Sequence, residues 1–163
     1  MRFVVFLFLV TFVNPCFAQV AGEEARKTFT HWSCAALLGN TFNEKINEKK
    51  KEYISAKVEK HFQSGHKAAV KMFAELTEHG DKNEDNWKTN APSLFSDKIL
   101  GPNAEFIAGR LFESTKMYVY DELWDKAHSQ LKGETYDKRS SFVRFNAENR
   151  YIKSNCAVLL YND

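Results

Sequence analysis

The sequence predicts an all-α protein: a compact bundle of about five helices with one disulfide joining the first helix to the C-terminal end. Three observations carry that expectation. Apolar residues return every three or four positions in several separate stretches, the spacing of one buried helix face, and no stretch alternates as a strand would. Gly, Pro and Asn fall mainly where those stretches end. Beyond an N-terminal leader, the chain keeps only two cysteines, Cys34 and Cys156, near opposite ends.

The leader comes first. Met1-Arg2 opens with a positive charge, Phe3 to Val13 is an apolar run broken only by Thr11, and Asn14-Pro15 ends it. Cys16 and Ala18 place small residues three and one before a cut, so residues 1–18 read as a secretory signal peptide cleaved after Ala18. A membrane anchor needs about 20 apolar residues, more than this run supplies. Pro15 directly before Cys16 fits poorly with a lipoprotein acceptor. Residues 19–163 then form a single secreted or periplasmic domain with no integral membrane association.

Glu23 to Leu38 reads as the first helix, with Ala25, Phe29, Trp32 and Ala36 on one face and Gly39-Asn40 as its stop. Thr41 and Glu44 have the spacing of a capping box and predict the start of a second helix there. Its apolar series is Phe42, Ile46, Tyr53, Ile54, Val58 and Phe62. Lysines and glutamates crowd the positions between Glu44 and Lys60; a solvated face braced by opposite charges fits them better than a polyanion-binding strip. Gly65 marks either a bend or a close approach by a neighbouring helix. The series resumes at Ala69, Met72, Phe73 and Leu76 and stops at His79-Gly80.

Asp81 to Ala91 reads as a polar loop holding an isolated Trp87, and Pro92 to Leu100 as one or two short turns. Asn103 is a good N-cap for a helix running to about Leu131, with Gly133 as its stop. The wide apolar arc of that helix, from Phe106 to Trp124, predicts the most buried helix of the domain. A last helix runs from about Asp137 to Asn155.

An oxidising compartment favours pairing Cys34 with Cys156. Closing a loop of more than a hundred residues is worth on the order of 4–5 kcal/mol in the chain-entropy account. Neither cysteine belongs to a Cys-x-x-Cys motif, so a thioredoxin-like role has no support.

The run from Gly101 through Pro102, Asn103, Glu105, Phe106, Gly109, Arg110 and Phe112 to Glu113, taken with Phe62-Gln63-Ser64-Gly65, Cys34 and Asn155-Cys156, resembles small exported helical proteins of bacteria or phages. The resemblance implies a helical fold with the same cysteine pair. It brings no reaction, ligand or partner. Physically, Gly109 predicts close approach of another helix, and Arg110 has Glu105 and Glu113 as candidate ion-pair partners.

Lys and Arg number 23 against 21 acids, a net +2, which speaks against a dedicated nucleic-acid binder. With 44% hydrophobic residues and 14% aromatic, the chain has material for a core. His61 and His66 are five apart and make no helical metal clamp; Glu75 and His79 share a face, yet two ligands seldom specify zinc. Asp81, Asn83 and Asp85 begin like a calcium loop, but Asn86 and Pro92 stand where the loop needs Gly and Glu. Glu105 and Glu113 are separated by about 12 Å along a helix, too far for a glycosidase pair. No Gly-x-Ser-x-Gly turn or glycine-rich phosphate loop occurs. Lys138, Arg139, Arg144, Arg150 and Lys153 make the last helix basic, which fits a solvated face better than a surface for an acidic partner or an anionic membrane.

These readings predict a non-enzymatic exported protein, without a cofactor, that inhibits or modulates another envelope or secreted protein. Glu105, Arg110, Glu113 and Trp87 are its candidate contact residues. The alternatives are a carrier of an apolar ligand and a hydrolase whose carboxylates meet from different helices.

Overall fold

The computed structural model describes residues 16–42, 46–79, 95 and 103–161, which form five helices and no strand. They are α1 (Cys16–Gly39), α2 (Glu48–His79), α3 (Ala104–Gln130), α4 (Tyr136–Lys153) and α5 (Cys156–Leu159). Most of the predicted leader lies outside the described residues, as do Asp81, Asn83, Asp85 and Trp87; residues 16–18 form the first turn of α1.

Several helix ends have a local cause. Asn40 Nδ2 and Thr41 Oγ1 donate to the carbonyls of Ala36 and Leu38, closing the last turn of α1. Thr41 is therefore spent on α1, and α2 starts later than the capping-box spacing predicts. Asn47 provides the cap, its Oδ1 accepting from the Lys50 N–H. Asn103 caps α3 through the Phe106 N–H, as expected, and Thr135 caps α4. Gly133 (φ 82°) turns the chain between α3 and α4, and Asn155 (φ 52°) between α4 and α5.

The pairing of α1 with α2 is the most extensive among the described helices. Glu24 meets Lys71 and His31 meets His61, so the two helices run antiparallel. Between them, the Trp32 indole lies across Gly65 and donates from Nε1 to the Phe62 carbonyl at 3.2 Å. A Cβ at Gly65 would stand 2.5 Å from that ring, so Gly65 marks a close approach and not a break: α2 runs through it. At Gly109, by contrast, a Cβ would meet nothing within 4 Å among the described residues, so none of the described helices approaches there. The contacts of α3 run instead through Ile107, Ala108 and Leu111.

Apolar side chains form two clusters. One gathers Trp32, Met72, Phe95, Ile107 and Leu111, with the Phe29 ring edge-on to Phe95. The other gathers Leu37, Ile54, Val119, Leu123, Val143 and Tyr151 around the disulfide. Burying a side chain such as Leu111 or Ile107 contributes roughly 1.5–3 kcal/mol. The Cys34–Cys156 bond, with Cα atoms 5.7 Å apart, ties α1 to α5 as the sequence predicts.

The wide apolar arc of α3 does not make it the most buried helix. Ile107, Leu111, Thr115, Val119, Leu123 and Ala127 follow an i, i+4 course into the core. Phe106, Met117, Tyr118 and Tyr120 remain 43–50% exposed. Burial is denser in α1, where Cys34 to Leu38 are all inside.

Candidate functional site

Two surfaces combine chemistry with a definite geometry. The first is the outward side of α3. Phe106, Arg110, Glu113, Met117, Tyr120 and Trp124 follow one another at spacings of four, three, four, three and four, so they share one helix face. That face lies beside the buried stripe, and Trp124 at its end is partly buried against the core around the disulfide. The Arg110 guanidinium sits 5.9 Å from the Phe106 ring centroid, and Lys116 pairs with Glu113 at 2.7 Å. Trp124 stacks on Tyr136 of α4 with centroids 5.5 Å apart, and Tyr120 and His128 flank it. Along one edge runs an open apolar groove of about 420 Å³, whose walls include Ala35 of α1, Val58 of α2, and Phe112, Met117 and Tyr120 of α3.

Of the contact residues predicted from the sequence, Arg110 and Glu113 lie on this face. Glu105 does not; it accepts from His66 Nε2 at 2.8 Å across to α2, beside a cavity of about 380 Å³ that Trp32 and Phe62 also line. Trp87 is outside the described residues. Three of the five basic residues of α4 are engaged by neighbours: Arg150 bridges to Glu122, Lys138 to Glu134, and Arg144 bonds Ser140 and Ser141.

The second surface is a groove of about 520 Å³ between α1 and α2. Lys60, Lys67 and Lys71 line it from α2, and Glu24, Lys27 and His31 from α1. Leu160, brought round by the disulfide and α5, is also part of its wall. Glu24 is nearly buried and bridges Lys71 at 2.8 Å and Lys27 at 3.3 Å. Lys27 is held as a cation above the ordinary lysine value, chiefly by its hydrogen bond to Glu23, with the charges of Glu24 and Glu23 adding and desolvation opposing.

Behind this groove lies a polar chain that single-helix spacing did not reveal. His31 and His61, both buried, face each other through Nδ1 at 3.2 Å. His61 Nε2 is in turn 3.2 Å from the Tyr151 hydroxyl of α4. One proton fits between two Nδ1 atoms, so one ring donates and the other accepts. Burial raises the Tyr151 phenol above its usual value, the neighbouring Tyr53 adds to this and Lys57 opposes it.

The comparisons decide no family. No family model matches the chain, and neither curated proteins nor solved structures contain a similar one. Function therefore has to be argued from these surfaces. Among the described residues no group of three or more His, Cys, Asp or Glu is placed to hold a metal ion, and no helix is long and apolar enough to cross a membrane. The described lining of the lysine groove includes one carboxylate, Glu24, whereas paired-carboxylate hydrolysis needs two.

Proposed function

We propose that the chain is exported and acts by contact, as a non-enzymatic inhibitor or modulator of another envelope or secreted protein, with the outward face of α3 as its contact surface. The observation that carries this reading is the exposure of Phe106, Met117 and Tyr120 at 49%, 50% and 43% on one continuous helix face. Arg110 and Glu113 lie between Phe106 and the Met117–Tyr120 pair, so the face is apolar at both ends and charged in the middle; exposed apolar patches bordered by charge are characteristic of interaction sites. Tyr, Trp, Met and Arg are the residues that interface cores favour.

The three-four spacing of the stripe suits a partner that lays an amphipathic helix along α3, and the apolar groove beside Met117 extends the area it can cover. Arg110 and Glu113 supply one charge of each sign, which fixes register more than affinity. The leader pattern of residues 1–18 and the Cys34–Cys156 bond support export.

The test is affinity capture from the exported proteins of the source cells, with the oxidised protein as bait beside a Met117→Ser/Tyr120→Ser variant. The expected result is one partner retained by the wild type and lost from the variant. Equal recovery by both, or no specific partner in repeated trials, contradicts the reading. The apolar groove also favours a second reading, carriage of an apolar small ligand; native mass spectrometry of the purified chain with and without added fatty acid tests it, and a protein that takes up none removes it.

A further inference from the structure

Lys60, Gln63, Ser64, Lys67 and Lys71 fall at positions i, i+3, i+4, i+7 and i+11 of α2 and all line the groove that α2 forms with α1. Lys27 faces them from α1, so four ammonium groups surround one lining carboxylate, Glu24. Glu24 is engaged by Lys27 and Lys71, and Glu23 holds Lys27 from behind. Lys60 and Lys67 have no carboxylate partner among the described residues. This is an excess of positive charge gathered on a concave surface, where low-dielectric walls focus the field. Lys67 and Lys71 lie beyond the Glu44–Lys60 stretch for which opposite-charge bracing is predicted.

We propose that the groove is a binding site for a small oligophosphate, a ligand carrying several linked phosphate groups. The charges extend along about 16 Å of α2 between Lys60 and Lys71, which suits a chain of anionic groups better than a single one. All the cations are lysines. Lysine recognises phosphate as a compact point charge, whereas planar carboxylates are matched best by the fork of arginine, and among the described residues no arginine lines this groove. Ser64, between Lys60 and Lys67, adds a hydroxyl within the same stretch, while the Gln63 amide Nε2 donates to Glu59 at 2.7 Å and leaves its oxygen to the groove. The site is separate from the outward face of α3, so the two proposals stand or fall independently.

The experiment is titration calorimetry of the purified, oxidised chain with inorganic tripolyphosphate, and with citrate as a carboxylate of comparable charge. It uses wild type, Lys60→Gln/Lys67→Gln, and a control, Lys49→Gln/Lys132→Gln, that removes equal charge from exposed positions outside the groove lining. Because all four positions are exposed, the variants are expected to keep the wild-type fold, which circular dichroism checks. The proposal expects one saturable tripolyphosphate site, weakened at least tenfold in the groove variant and less than twofold in the control. It is overturned by no saturable binding at millimolar ligand, by equal losses in the two variants, or by citrate binding as tightly as tripolyphosphate.

Discussion

Helices α1 and α3 have comparable apolar content and use it in opposite ways. From Thr28 onward, α1 turns Thr28, His31, Trp32 and the run Cys34 to Leu38 inward, and it also carries one end of the disulfide. α3 commits a single stripe from Ile107 to Ala127 and leaves Phe106, Met117 and Tyr120 half exposed beside it. The difference is one of neighbours. α2 packs along α1, and α3 and α4 also reach it, whereas the described elements cover α3 mainly on its inner stripe. Apolar content alone therefore does not report burial. Substitutions on α1 and its contacts should register as stability, and those on the outer side of α3 as binding.

The largest expected effect is at the staple. Cys34→Ser/Cys156→Ser is expected to lower unfolding free energy by on the order of 4 kcal/mol, read by urea denaturation of the oxidised wild type against the variant. A loss below about 1 kcal/mol would mean the bond adds little to what packing already fixes.

The two glycines sharpen the contrast in sign. Gly65→Ala drives a methyl into the buried Trp32 ring and should cost roughly 1–3 kcal/mol or more. Gly109→Ala meets open space within a helix and should stabilise by about 0.5–1 kcal/mol through helix propensity. Thermal melts that rank the two variants the other way would break the account of the α1–α2 contact.

Tyr151 gives a smaller effect with a pH signature. Tyr151→Phe removes the contact with His61 and should cost about 1 kcal/mol at neutral pH. The folded phenol titrates above its unfolded value of 10.0, so its contribution is complete below that pH and is lost as pH rises through the folded value. Wild type should thus lose more stability than Tyr151→Phe between pH 9 and pH 11, about the ordinary tyrosine value. Parallel stability curves over that interval would contradict the burial assigned to this hydroxyl.

Smallest in stability is the outer side of α3. Met117→Ser and Tyr120→Ser should each change unfolding free energy by less than about 0.5 kcal/mol, since neither position belongs to the buried stripe. A loss above 2 kcal/mol in denaturant titration would place these side chains in packing and remove them as a contact surface.

Features that depend on neighbouring residues were legible in the sequence. The Asn103 cap, the stop at Gly133 and the disulfide partners follow from local geometry or from having only two cysteines beyond the predicted leader. The start of α2 was misplaced because Thr41 has two possible uses, and the carbonyl of Leu38 takes its hydroxyl. The His31–His61–Tyr151 chain joins three helices, and no spacing within one helix reports it. A signal was nonetheless present: His61 stands seven residues after Ile54 and eight before Ala69, on the same inward face, where an apolar residue would be expected. The lysine groove was missed likewise, because one wall of it, with Glu24, Lys27 and His31, belongs to α1.

The most direct test of the central claim is site-specific photo-crosslinking in the source cells, with a photoreactive phenylalanine at position 117 or 120 and at the exposed position 49 as control. The account expects a discrete covalent adduct with one other exported protein from 117 and 120 and none from 49. Adducts of equal yield from all three positions, or none from 117 and 120, would contradict it.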